Sequence, residues 1–144
     1  QGQKCSACSR VVALDAVHDP LLERLVEATR SLKIGPADQP GTDVGPVIDG
    51  DALAKVRRYI EIGRQEGREV LSVDVGDLAD RGYFVGPHIF ADIAPEARLA
   101  QEEIFGPVLA VKKVKNAEEA LRWANDSRLG LCASVWSRNR RTAR

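Results

Sequence analysis

Apolar residues alternate between strand-like runs and helical stripes along most of the chain. Arg10–Val17 is a short β-favouring run. Asp19 as cap and Pro20 at the first helical position predict a helix carrying Leu21, Leu22, Leu25, Val26 and Leu32, ended by Gly35. Gly35 to Pro46 holds three glycines and three prolines and reads as a long surface loop. A second helix runs from about Asp51 to Glu66, with Leu53, Val56, Tyr59, Ile60 and Gly63 on one stripe and Gly67 as terminator.

Strand-like runs follow at Glu69–Val73, Tyr83–Ile93 and Pro107–Val114. Asn116 with Glu119 three residues on is a capping-box start for a third helix, lined by Ala117, Ala120, Leu121 and Ala124. Cys132–Trp136 reads as another buried strand, and Arg138–Arg144 as the first turns of a further helix. Strands alternating with helices predict an α/β fold, a mostly parallel sheet covered on both faces.

Composition narrows the class. A chain of 144 residues that is 44% apolar and 29% charged fits one globular domain with its own core. Its 21 basic and 21 acidic residues cancel, so net charge gives no attraction for nucleic acid or membrane surfaces. The arginines of Arg138–Arg144 have no interleaved aromatic residues and read as a solvated helix end. No apolar run approaches a membrane span. Three cysteines do not form a disulfide framework and suit a reducing compartment, the cytoplasm or an organelle matrix. The absence of methionine and a first residue inside what reads as a catalytic loop predict a piece of a longer protein, cut at both ends.

The candidate chemistry lies in two segments, Gly2-Gln3-Lys4-Cys5-Ser6-Ala7-Cys8-Ser9-Arg10 and Gln101-Glu102-Glu103-Ile104-Phe105-Gly106-Pro107. A thiol is a nucleophile only as thiolate, and a turn entering a helix would offer Cys5 backbone N–H donors that could also hold an oxyanion. Lys4 would add positive potential, and Gly2 would permit a tight backbone approach. Cys8 and Cys132 read as small buried hydrophobes. The Cys5-Ser6-Ala7-Cys8 spacing also fits a redox or metal module. Zinc would need two more ligands from His18, His88 and Cys132, which share no paired spacing.

These two segments, with Gly45-Pro46-Val47-Ile48-Asp49 and Gly82-Tyr83-Phe84-Val85-Gly86-Pro87 between them, resemble the NAD(P)-dependent aldehyde dehydrogenases in the family's order. The resemblance implies the three-layer α/β/α catalytic domain of that family, residues 1–144 forming part of it and the cofactor-binding domain lying elsewhere. It implies that Cys5 attacks the aldehyde, and that the thiohemiacetal passes hydride to a nicotinamide and becomes a thioester that water hydrolyses. Glu103 matches the glutamate that binds the nicotinamide ribose, Phe105 the aromatic beside the nicotinamide, and Lys55 a lysine that some members place on the ribose. Ala52 departs from the polar residue found one turn earlier in some members.

Within the family, the Cys5 string and Tyr59-Ile60-Glu61-Ile62-Gly63 look most like the dehydrogenases of 1-pyrroline-5-carboxylate (L-glutamate-γ-semialdehyde). There the serine matching Ser6 helps hold the substrate's α-carboxylate, although serine equally suits a helix start. The cofactor implied is NAD, with NADP open because the discriminating residues lie outside the chain. The partners implied are a small aldehyde and, for the complete protein, further copies of itself. The general base, oxyanion asparagine and anchor loop are not among these residues, so the chain alone is expected to be inactive and to expose apolar surface. Rival readings are the same chemistry on another aldehyde, a non-catalytic assembly module, and the Cys-x-x-Cys module.

Overall fold

The computed structural model describes residues 1–139 and 141. Among these residues there is one sheet of four strands: β1 (Arg10–Leu14), β2 (Arg68–Ser72), β3 (His88–Ala91) and β4 (Val108–Val114). Their order is β1-β4-β3-β2, with β1 and β3 parallel to the central β4 and only β2 antiparallel. The helices are α1 (Asp15–Arg30), α2 (Gly50–Glu66), α3 (Arg98–Gln101) and α4 (Ala117–Asn125). A 3₁₀ turn occupies Gly76–Asp80.

Side chains on a strand alternate between faces, so each face of this sheet acquires its own core. Ile89 and Val111 pack with Val11, Leu22, Leu25 and Val26 under α1. Phe90, Val108, Ala110 and Val114 pack with Val56, Tyr59, Ile60, Leu99 and Trp123 beneath α2, α3 and α4. The result is the expected α/β/α layering with a mostly parallel sheet. At Gly63 the α2 backbone lies so close to β3 that a Cβ there would stand 2.7 Å from Phe90 and 2.8 Å from Leu99.

Several expected boundaries move. Helix α1 begins at Asp15, directly after β1, and encloses Pro20. Tertiary contacts outweigh the proline start signal: Lys113 Nζ reaches Asp15 at 3.3 Å and Asp19 at 3.0 Å, and His18 is buried on the intervening turn. The Tyr83–Ile93 run narrows to His88–Ala91. Gly86 passes against the Val73 carbonyl, Pro87 has no N–H to pair, and Asp92 turns the chain at φ 61°. The Gly35–Pro46 loop is pinned by an Ile34–Val44 bridge and buries Val44.

Asn116 caps α4 as expected, its side chain accepting from Glu119 N–H at 2.9 Å. The helix turns Trp123 inward, however, and Leu121 is exposed. Lys112 Nζ stands 5.2 Å from the Trp123 ring centroid, holding it over the sheet. Cys132–Trp136 is neither strand nor buried, with Trp136 91% exposed. Among the described residues its β-favouring side chains have no neighbouring strand to pack on, and that neighbour is what makes such a run a strand. Cys132 and Cys8 are therefore exposed, not core. Of the expected helix at Arg138–Arg144, Arg140 and Thr142–Arg144 lie outside the described residues, and Arg138 and Asn139 are not helical.

Candidate active site

The segment before β1 is a compact turn in which Ala7 N–H donates to the Lys4 carbonyl at 2.9 Å. Cys5 and Ser6 form its corner and both are exposed. Only four residues separate Cys5 from β1, and they lead into a strand, so the expected helix entry at Cys5 is absent and no helix dipole acts there. Cys8 donates its S–H to the Arg10 carbonyl, 3.4 Å away, which turns it to the surface at the strand's start.

Two glycines bring this turn against the second candidate segment. Gly2 has φ 76°, and a Cβ on it would collide with the Gly106 carbonyl group. Gly106 in turn has its α-carbon against Val56 of α2, leaving no space for a side chain. The cysteine turn is thus stacked backbone to backbone on the Gln101–Pro107 segment, which lies in turn against the Val56 side chain of α2. Gln3 adds a polar tie, its Oε1 accepting from Ile48 N–H at 2.8 Å. Val47 N–H donates to the Tyr83 carbonyl at 2.9 Å, which joins the two connecting segments to the same cluster.

The Gln101–Pro107 segment is anchored at Gln101, Glu102, Ile104 and Gly106. Gln101 donates to the Pro95 and Asp126 carbonyls at 2.8 and 2.7 Å. Glu102 accepts from Tyr59 O–H at 2.6 Å and from Arg98 Nη2 at 3.0 Å, while the Arg98 guanidinium lies 5.6 Å from the Tyr59 ring centroid. These partners, Arg98 first and Tyr59 next, hold the Glu102 carboxyl down at about 2, and the anionic Glu102 raises the Tyr59 phenol. Ile104 is buried and Gly106 sits on Val56. Glu103 and Phe105 alternate with these anchors and face outward. Phe105 has φ 60°, a left-handed conformation that bulky residues rarely adopt.

The outward pair lines an open groove of about 310 Å³ with Gln3, Ala52, Lys55 and Ile104. Lys55 and Ala52 come from successive turns of α2, one turn apart on the same side. The structure therefore brings together three of the residues singled out in the sequence, Lys55, Glu103 and Phe105. Cys5 and Ser6 lie outside the lining but only two and three residues beyond Gln3. A larger open groove, about 420 Å³ between Arg30 and the β2 edge, contains none of these residues. Among the described residues, no three of histidine, cysteine, aspartate and glutamate converge as a metal site would require.

Gln3, Glu102, Arg98 and Tyr59 carried no assigned role in the sequence. The Arg98–Glu102 spacing of four is a visible ion-pair signal, but its meeting with Tyr59 depends on how α2 packs on α3.

The arrangement can be compared with known proteins. A sequence profile described as the aldehyde dehydrogenase family matches residues 1–144. The chain belongs to that family. It is 50% identical over 139 residues to 1-pyrroline-5-carboxylate dehydrogenase of Anoxybacillus flavithermus, and 49% identical over 140 residues to 1-pyrroline-5-carboxylate dehydrogenase 2 of Bacillus subtilis. Those alignments take in 96% and 97% of this chain but 27% of each relative's length. Among solved structures, 1-pyrroline-5-carboxylate dehydrogenase from Thermus with bound NAD superposes with TM-score 0.89 at 45% identity, covering 99% of this chain and 27% of that one. Betaine aldehyde dehydrogenase of Staphylococcus aureus in complex with NAD+ gives TM-score 0.92 at 32% identity, covering 99% and 29%. The chain thus spans little more than a quarter of these aldehyde dehydrogenases.

Proposed function

We propose that the full-length protein carrying this chain oxidises L-glutamate-γ-semialdehyde, the open form of 1-pyrroline-5-carboxylate, to L-glutamate with NAD. The observation that carries this reading is the contact of Gly2 with Gly106, which sets the cysteine turn beside the groove of Lys55, Glu103 and Phe105. The substrate is supported by the relatives near 50% identity that bear that enzyme's name.

The groove's chemistry fits a nucleotide's nicotinamide half. Glu103 is an acceptor for two ribose hydroxyls, Lys55 a donor to them, and Phe105 an apolar surface for a flat ring. NAD, when bound, supplies the hydride acceptor. Cys5 forms the covalent adduct: its sulfur attacks the aldehyde carbon to give a thiohemiacetal, which becomes a thioester on oxidation and is released by water. Ser6, adjacent in the turn, has a hydroxyl that can donate to the substrate's α-carboxylate. Residues 1–144 are part of the catalytic domain, so this chain alone has no NAD-linked activity. On this reading the complete protein is a homo-oligomer of the cytoplasm or, in a eukaryote, of the mitochondrial matrix.

The test is NAD reduction by the full-length protein with glutamate-γ-semialdehyde and a panel of simple aldehydes. Selective turnover that disappears in Cys5→Ala supports the reading. Better turnover of another aldehyde discards the substrate, and activity surviving without Cys5 discards the mechanism.

A further inference from the structure

Gln3 has a divided side chain. Its Oε1 is committed to Ile48 N–H at 2.8 Å, a backbone donor that only the oxygen end can accept, so the orientation of the amide is fixed. The nitrogen end then holds two N–H groups, and among the described residues neither donates to protein. Gln3 also lines the groove of Lys55, Glu103 and Phe105. Its backbone is held there, because the preceding Gly2 is packed on Gly106, next to Phe105.

The donor and acceptor balance of the groove says what that amide faces. Glu103 only accepts, Lys55 only donates, and their charges offset each other, which suits a neutral hydroxyl-bearing ligand better than a phosphate. Each hydroxyl of a vicinal diol gives one hydrogen and accepts others, so a diol bound to Glu103 still has lone pairs for two donors. Lys55 supplies one. The position one turn earlier on α2 is Ala52, whose methyl group supplies none.

We infer that Gln3 is a cofactor-binding residue whose amide N–H donates to a hydroxyl of the nicotinamide-side ribose, supplying the donor that Ala52 lacks. This rests on the NAD reading above. The glutamine before the nucleophile thereby acquires two roles, since one end of the side chain fixes the turn to Ile48 and the other end meets the cofactor. The nucleophile and the ribose site are linked through a single side chain two residues from Cys5.

The experiment is a binding cycle on the full-length protein, read by isothermal titration calorimetry. NAD and an NAD analogue lacking the hydroxyls of the nicotinamide-side ribose are titrated into the unsubstituted protein and into Gln3→Met. Lost anchoring to Ile48 weakens both ligands alike and cancels in their affinity ratio. A direct hydrogen bond does not cancel, and the analogue's penalty is expected to shrink about tenfold in the variant, the worth of one hydrogen bond of ordinary strength. An unchanged ratio overturns the inference. If Gln3→Met does not fold, the decision passes to Gln3→Glu, which keeps an acceptor for Ile48 N–H and is read by the same ratio. Absence of NAD binding by the unsubstituted protein would overturn the NAD reading itself, an outcome distinct from NAD binding with an unchanged ratio.

Discussion

Gly2 and Gly106 touch through their backbones, and no side chain larger than hydrogen fits at Gly2 against the Gly106 carbonyl. Gly2 carries an additional constraint in its φ of 76°. Gly2→Ala is therefore expected to destabilise the fold by about 1–3 kcal/mol through backbone strain and the clash together. Thermal unfolding of the variant checks the stability. In the full-length protein the same change should cost turnover while leaving the rest of the fold intact by circular dichroism.

Gly106 meets Val56 on its other side, and this gives a compensation test. Gly106→Ala overpacks the site and is expected to cost about 1–3 kcal/mol. Val56→Ala alone opens a cavity at a fully buried position, also destabilising. Combined, the two changes should cost less than their sum, because the new methyl occupies space that the valine vacates. Additive losses in denaturant melts would show that the two residues do not share that space.

The groove residues predict a pattern in cofactor affinity. Glu103→Gln replaces an acceptor-only carboxylate by an amide, and Lys55→Met removes a charged donor while keeping most of the stem's volume. Each is expected to weaken NAD binding by the full-length protein about ten- to a hundredfold, the range for a hydrogen bond to a charged group. Cys8→Ala should leave both binding and turnover within about twofold, since its thiol lies at the surface with one weak bond to a carbonyl. Calorimetry and steady-state kinetics read both.

Much of this layout was legible because it is local. The stripe of Val56, Tyr59, Ile60 and Gly63 fixes which side of α2 is buried, and with it the side on which Lys55 lies. The Asn116 cap and the span of β4 likewise follow from adjacent residues. The start of α1 was not legible, because Lys113, nearly a hundred residues from Asp15, is what supports that turn. Cys132–Trp136 failed for the opposite reason: its pattern specifies a strand only in company with a neighbour. In the site, Glu103 and Phe105 were identified by resemblance, whereas Gln3's position in the groove depends on Gly2 meeting Gly106 across the fold.

The Glu102 anchor has a definite acid signature. Its carboxyl is held at about 2 in the folded protein against an ordinary 4.5, by Arg98 and then Tyr59. A depressed carboxyl stabilises the fold above the unfolded value and loses that contribution as pH falls through the folded one. Glu102→Gln should therefore lower the melting temperature by a constant amount above about pH 5, with the deficit shrinking from pH 4.5 downward and vanishing near pH 2. Melting curves across that range decide it. A deficit independent of pH would mean that the glutamine loses packing and not charge.

His88 adds a second acid sensitivity at higher pH. It is buried on β3, its ring stacks 6.3 Å from Phe90, and its Nδ1 lies 2.8 Å from Glu69. Burial is the largest influence and lowers its pKa below the ordinary 6.5; the Arg64 cation adds to this, while Glu69 and Glu61 oppose it. The unfolded chain consequently takes up the proton more readily than the folded one, so stability is full above pH 6.5 and declines as pH falls through it, levelling below the folded value. Glu69 also accepts from Arg64 Nε at 3.1 Å. His88→Gln keeps a polar group near Glu69 but does not titrate, and its melting temperature should decline less between about pH 7 and pH 5 than that of the unsubstituted chain. Parallel declines in the two proteins would assign the acid sensitivity to another group.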